Sequence, residues 1–232
     1  MPISAVPADL VHAFETRGTP RRLGRGEILM EEGDTSTDVF LVRAGRLQVS
    51  RVSLGGREPV FATVGAGRLV GEFAAVDARP RSATVTALEA SELLRLPAQS
   101  FQDAVRESAD SSWWLIKDYA ATVRAMTGRA FELATLPVHG RVTAELLRIV
   151  ERAAGEGQGG EEEGAGVLIT DFPTHEQLAA RIGTQREAVT RQLRHLAAKN
   201  LLEQKRRRLR VPDVEALRGY MDTITGGAPT TY

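Results

Sequence analysis

The sequence predicts an α+β chain: an antiparallel β-roll, then one long dimerisation helix, then a winged helix-turn-helix. Three observations carry that expectation. Short β-type runs broken by glycine fill residues 20–96. Residues 112–136 hold no proline and repeat small or apolar side chains at alternating spacings of four and three. Two helical patterns joined by Gly183 occupy residues 174–196 and lead into a dense basic run.

The bulk numbers set the frame. A chain of 232 residues is long enough for two domains, and 42% hydrophobic content supports ordinary packed cores. No apolar run approaches the roughly 20 residues of a membrane helix. The N-terminal MPISAVPADLVHAFETRG lacks a basic region followed by an apolar one, so no secretory signal is expected. With no cysteine, disulfides, thiolate zinc sites and cysteine-ligated iron–sulfur clusters are excluded. The expectation is a cytoplasmic protein with no membrane partner and no metal. Net charge is zero, but residues 174–210 carry ten Lys/Arg against Glu176, Glu187 and Glu203. That local +7, with −7 left for the remainder, points to a polyanion partner for this segment alone.

In the first half, Val39–Arg43, Leu47–Val52, Val60–Val64, Ala83–Ala87 and Glu92–Leu96 read as strands, with Ala44-Gly45 and Gly55-Gly56 as turns. Strands broken about every ten residues indicate a roll or barrel. Between two of them lies LVGEFAAVDARPRSATV, residues 69–85. Gly71 and Glu72 stand ahead of an apolar run, a turn stiffened by Pro80, and then Arg81 and Ser82. Glycine lets a ligand approach the backbone and leaves amide N–H groups for phosphate oxygens. Arg81 can fork two donors onto a phosphate, Ser82 adds a hydroxyl, and Glu72 is an acceptor suited to a ribose hydroxyl. Arg79 is a neighbouring rival, but Arg81 is the one followed by Ser-Ala.

Gly71-Glu72-Phe73 with Arg81-Ser82-Ala83 resembles the phosphate-binding cassette of cyclic-nucleotide-binding domains. Glu32-Gly33-Asp34, Gly45-Arg46-Leu47 and Gly65-x-Gly67 resemble that fold's turns. The resemblance implies that Glu72 takes the ribose 2′-hydroxyl and Arg81 the cyclic phosphate, with Gly71, Phe73, Ser82 and Ala83 around them.

Along 112–136, Ile116, Ala120, Val123, Thr127, Ala130 and Ala134 form a heptad-like stripe, which predicts a self-associating helix and hence a homodimer. Leu115, Tyr119, Met126 and Leu133 widen it. In the cyclic AMP receptor protein (CRP/FNR-type) family, which the chain resembles over about 200 residues, this helix is the dimer seam and two polar residues on it reach the purine. Counting back from Gly140-Arg141-Val142, those positions are Met126 and Thr127; Met126 has no group for a base edge. Pro137 should end the helix. Residues 138–153 resume helical periodicity, and the acidic 155–166 loop follows. Relatives use the corresponding loop to touch RNA polymerase, but this one has little in common with theirs and reads as a tolerated surface insertion; the family resemblance implies the polymerase as a partner.

Thr174 opens a helix in capping-box form with Gln177, Gly183 makes the turn, and Thr184-Gln185-Arg186-Glu187 starts the next helix. That helix offers Gln185, Arg186, Glu187, Thr190 and Arg191 to a major groove. Arg186 and Arg191 suit guanine O6/N7, and Glu187 suits cytosine N4. Glu187 also has a local role, closing a capping box with Thr184. The spacing Arg-Glu-x-x-x-Arg matches the family's recognition helix, which implies double-stranded DNA with a TGTGA-like palindromic operator. Thr174 is counted among the DNA-binding residues, and Lys205 and Arg207, on a basic hairpin wing, are assigned to phosphate contacts. A short helix over 212–224 and a tail close the chain.

The expected domains are a β-roll over 1–110, the dimerisation helix and hinge over 111–137, the winged helix-turn-helix over 138–225, and a tail over 226–232. The implied function is a transcription regulator, not an enzyme, with a cyclic nucleotide effector. Cyclic AMP is favoured, and cyclic GMP stays open because Ser82 and Thr127 suit either base. A ligand-independent regulator of the same fold, or the regulatory subunit of an enzyme, are the alternatives.

Overall fold

The glycine-broken strands close into two four-stranded antiparallel sheets in the computed structural model, which describes residues 5–51, 60–155 and 166–226. In chain order come α1 (Ala8–Arg17), β1 (Thr19–Leu23), β2 (Ile28–Met30), β3 (Val39–Ala44), β4 (Arg46–Ser50), β5 (Val60–Gly65) and β6 (Leu69–Val70). After them follow α2 (Glu72–Asp77), β7 (Thr84–Ala87), β8 (Ser91–Leu96), α3 (Ala98–Glu107) and α4 (Ala109–Thr135). One sheet runs β1-β8-β3-β6 and the other β2-β7-β4-β5.

Alternation explains how the sheets meet. On β7, Val85 and Ala87 are buried while Thr84 and Thr86 are half-exposed, the period-2 signature of a strand with one face on a core. Phe40, Val42, Leu47, Val70 and Leu93 fill that core with them. A second cluster, with Phe14, Phe101, Trp114 and Leu115 at its centre, packs α1, α3 and the start of α4 onto Val39, Leu41 and Leu96. Each such side chain contributes about 1.5–3 kcal/mol on burial.

The strands expected from sequence are present within a residue or two, but α1, α2, α3, β1, β2 and β6 were not anticipated. Two of the three helices are ten residues long and one is six, too short for periodicity to stand out. Pro7 and Pro97 occupy the N-cap positions of α1 and α3, a start signal that sequence reasoning missed. The Gly55-Gly56 turn, the acidic stretch 156–165 and the tail beyond Gly226 lie outside the described residues.

The chain divides into two compact units between Ala125 and Met126, within α4. As Pro137 requires, α4 stops at Thr135. The second unit continues with α5 (Val138–Gly155), β9 (Val167–Ile169), α6 (His175–Ile182) and α7 (Arg186–Ala198). It ends with β10 (Glu203–Lys205), β11 (Arg208–Val211) and α8 (Val214–Thr225). The wing gains a third strand the sequence did not suggest: the order is β10-β11-β9, all antiparallel. Leu146 and Leu147 of α5, Leu178 of α6, Leu193 and Leu196 of α7 and Leu217 of α8 share one core.

Two expectations need correction. The capping box of α7 does not form: the N-cap is Gln185 and no side chain caps it, so Thr184 stands one residue too early to reach Glu187. The second apolar line on α4 is not continuous. Leu115 is buried and Tyr119 half-buried against their own roll, whereas Met126 and Leu133 are 53% and 55% exposed. The main stripe is open as well, with Ile116 at 56% and Val123 at 61%.

Candidate functional site

Gly71 sits at φ +89, a left-handed conformation that glycine adopts without penalty, and caps the start of α2. A Cβ here would fall 2.6 Å from Arg81 Nη1 and 2.8 Å from the Asp38 carbonyl oxygen, so the position has room for no side chain. Arg81 arrives from the other end of the cassette and is only 4% exposed. Its Nε–H donates to Ser36 Oγ at 3.1 Å, Nη1 to the Gly71 carbonyl and Nη2 to the Asp38 carbonyl, both at 2.7 Å. Its backbone is tied to the same loop, with N–H on the Asp34 carbonyl and carbonyl accepting from Gly33. Burial pulls Arg81 below the ordinary arginine value, against the pull of Asp38, Asp34 and Glu72. Of a guanidinium's five N–H donors, three are committed to these acceptors, which leaves one on each Nη.

Glu72 begins α2. The residue is half-buried, yet its carboxylate is shielded from water, and this desolvation pushes its pKa up to about 7. A bond to its own backbone opposes the shift, Asp118 adds to it, and Arg68 and Arg81 pull it back. Asp118, on α4, is held by Arg68 at 3.0 Å. Beside it, Tyr119 meets Phe73 edge-to-face, with centroids 5.3 Å apart. The Tyr119 hydroxyl is buried without a hydrogen-bond partner, and burial, then Glu72 and Asp118, raise its pKa. Sequence reasoning missed Ser36, Asp38, Arg68 and Asp118. Ser36, Asp38 and Asp118 sit far from the cassette in sequence and only the folded roll brings them to it, whereas Arg68 stands three residues before Gly71 and was passed over because its partner, Asp118, is distant.

Ser82 is exposed and Ala83 half-buried, while the rival Arg79 is exposed, its backbone N–H bound to Asp77. Met126 and Thr127 are exposed on the part of α4 that belongs to the second unit. An open cleft of about 580 Å³ lies not over the cassette but on the face of β2, β4 and β7, by Ile28, Gln48 and Thr86. Glu31 and Glu32 line it, which is a poor wall for a phosphate.

The second candidate face is built by α6, α7 and the wing. The α6 capping box is complete: Thr174 Oγ1 accepts from Gln177 N–H and Gln177 Oε1 from Thr174 N–H. Gly183, at φ +65, makes the turn. Arg186, Glu187, Arg191 and Arg194 are exposed along α7, and Gln185 at its cap is exposed too. Thr190 is half-buried; its hydroxyl donates to the Arg186 carbonyl at 3.0 Å and also meets His175 Nδ1 at 2.8 Å. Lys205 is exposed at the end of β10, and Arg206, at φ +54, forms the tip with Arg207. Arg207 pairs with Asp171. Arg181, counted within the basic segment, faces inward to Glu145 at 3.7 Å. A cleft of about 450 Å³ between α6, α7 and the wing is lined by His175, Arg186, Gln204, Arg206 and Arg207.

Among the described residues no group of His, Asp and Glu could hold a metal ion, and no helix is long and apolar enough to cross a membrane. Residues 20–108 match the family described as cyclic nucleotide-binding domain, and residues 140–220 the Crp-like helix-turn-helix domain. The chain is similar to the CRP-like cAMP-activated global transcriptional regulator of Mycobacterium tuberculosis, 23% identical over 212 residues, covering 91% of this chain and 92% of that one. It is similar to the Cyclic AMP receptor protein of Thermus thermophilus, 29% identical over 178 residues, covering 77% and 76%. Among solved structures, a CooA mutant from Carboxydothermus hydrogenoformans superposes with a TM-score of 0.76 at 20% identity, over 94% of this chain and 98% of that one; this likeness speaks for the fold alone.

Proposed function

The chain belongs to the CRP/FNR-type family of transcription regulators, and we propose that it is a cytoplasmic homodimer whose DNA binding is gated by cyclic AMP. It is a DNA-binding regulator and not an enzyme. The observation that carries the effector reading is the Arg81 guanidinium at the Gly71 turn, a buried cation with donors left over, beside a backbone that leaves no room for a Cβ. A cyclic phosphate supplies what that cation lacks, an anion with several acceptor oxygens. Glu72 takes a ribose hydroxyl, Gly71, Phe73, Ser82 and Ala83 complete the wall, and Met126 and Thr127 face the purine. Cyclic AMP is preferred to cyclic GMP because the Mycobacterium tuberculosis relative is named for cAMP activation and the Thermus thermophilus one as a cyclic AMP receptor.

The open stripe of Ile116 and Val123 on α4 supports a homodimer, since single chains seldom leave so many large apolar side chains in water. In that dimer the two α7 helices enter successive major grooves roughly 34 Å apart and read a TGTGA-like palindrome. Arg186, Glu187 and Arg191 contact bases. Gln185 and Thr190 face the same groove, Thr190 with its hydroxyl proton on the Arg186 carbonyl, and Thr174, Lys205 and Arg207 hold the backbone. RNA polymerase is the partner on the promoter. Gating requires the nucleotide to bind the DNA-competent state more tightly, by about 1–3 kcal/mol of coupling.

Calorimetry with cyclic AMP and cyclic GMP side by side, followed by gel shifts on a TGTGA-N6-TCACA duplex, tests this reading. Cyclic AMP should bind more tightly and raise duplex affinity about 5–150-fold. Preference for cyclic GMP, or equal DNA binding with and without nucleotide, would replace the effector assignment. No binding to any duplex at low salt would remove the regulator.

A further inference from the structure

We infer that His175 is a positioning residue of the DNA interface, one whose ring ties the wing to α7 in two protonation states and gains a proton when DNA binds. The inference rests on the reading of this face as the DNA-binding surface.

The hydrogen-bond pattern favours one tautomer. Thr190 has one hydroxyl proton, and it is given to the Arg186 carbonyl at 3.0 Å. At the 2.8 Å contact with His175 Nδ1, Thr190 Oγ1 can therefore only accept, so Nδ1 carries the proton. In the neutral ring Nε2 is then bare and accepts from the Gln204 amide nitrogen, 3.1 Å away. The ring thus links the first residue of α6 to α7 on one side and to β10 on the other. Gln204 Oε1 lies only 3.3 Å from the same Nε2. When Nε2 is protonated, rotating the amide by half a turn offers that oxygen as acceptor. Both states keep the bridge. The cationic state turns the Gln204 NH₂ away from the ring.

The charges around the ring decide when each state is occupied. Arg186 from α7 and Arg206 and Arg207 from the wing line the same cleft, and all three oppose a fourth positive charge. Glu176, next along α6, favours it, and Asp171 is already engaged by Arg207. A DNA phosphate in the cleft cancels the arginines' repulsion and adds attraction of its own, so DNA binding favours the imidazolium over the neutral ring. Affinity for DNA should therefore rise as pH falls through the histidine range, equally for specific and unrelated duplexes, since a phosphate carries no sequence information.

The test uses the full chain with cyclic AMP and fluorescence anisotropy at constant ionic strength. The probes are the TGTGA palindrome and a scrambled duplex of equal length. Between pH 8 and pH 6 the wild type should tighten about tenfold on both, as uptake of one proton allows. His175→Asn places an amide N–H toward Thr190 but cannot titrate, and should bind with a flat profile. A wild-type slope retained in His175→Asn, or no slope in the wild type, overturns the inference. If the variant fails to fold, ring-nitrogen NMR of the wild type at pH 8 decides. A proton on Nδ1 is expected, and a proton on Nε2 overturns the tautomer on which the proton uptake is argued. Wild type that binds no duplex at any pH while showing the Nδ1–H ring would defeat the DNA-interface reading and its proton linkage, leaving only the structural bridge.

Discussion

Arg81 Nη1 donates to the Gly71 carbonyl at 2.7 Å, so the two ends of the cassette close on each other through one charge-assisted hydrogen bond. The cation proposed for the phosphate is thus also a structural tie between α2, the Ser36–Asp38 loop and the roll. Arg81→Ala should lose the nucleotide response and also destabilise the protein by about 1–3 kcal/mol, because three partly buried hydrogen bonds lose their donor. Urea melts and calorimetry on the same sample check both effects. Unchanged nucleotide affinity would refute the phosphate role.

Gly71→Ala tests the turn itself. Its φ of +89 strains any residue with a Cβ, and that atom would strike Arg81 Nη1 and the Asp38 carbonyl. A loss of about 2–4 kcal/mol in stability is expected, larger than strain alone at an open left-handed site. Gly67→Ala, also at positive φ but with nothing within 4 Å, serves as the comparison and should cost less by denaturant midpoint.

Glu72 makes stability depend on pH near neutrality. Its folded pKa of about 7 lies above the ordinary carboxylate value, so the fold favours the protonated form. The contribution is complete below the ordinary carboxylate range and is lost as pH rises through about 7. Between pH 5 and pH 8 the wild type should lose on the order of 1–3 kcal/mol relative to Glu72→Gln. Denaturant midpoints of the two proteins at both pH values measure it, and parallel midpoints would contradict the shielding.

In the second unit, a chain of charges runs from Glu132 at the end of α4 to Arg148 and Glu145 on α5 and on to Arg181 on α6. Although burial opposes it, the bonds to Glu132 and Glu145 hold Arg148 above the usual arginine value. Glu132→Ala leaves a half-buried guanidinium short of one partner, and should cost about 1–3 kcal/mol. The double variant Glu132→Ala/Arg148→Met should recover part of this by thermal melting.

Arg186→Ala should relax base choice at one operator position and weaken specific binding by about 1–3 kcal/mol. Binding to random duplexes would be the control. An equal loss there would make Arg186 a phosphate contact.

Local chemistry was readable wherever the signal lies within a few residues. Thr174 and Gln177 cap α6 because both partners sit in one turn; Pro137 ends α4 because a missing N–H needs no distant help; β7 alternates because period 2 is a property of one strand. Gly71 and Arg81 stand close enough in sequence for their pairing at one turn to be legible, and the fold joins them by a hydrogen bond. Tertiary structure alone decided the rest. Ser36 and Asp38 reach the cassette from the loop ahead of β3, and Asp118 reaches Arg68 beside it by the packing of α4 on the roll. Desolvation, which raises Glu72, and burial, which turns Arg81 from a surface cation into a tie, depend on everything packed around them. Arg181 and His175 show the same limit in the second unit. Composition counts one as a DNA-facing charge and is silent on the other, while the fold turns Arg181 to Glu145 and sets His175 between Thr190 and Gln204. Spacing along a chain specifies which residue types recur on one face; what faces them across space is settled only when distant segments meet.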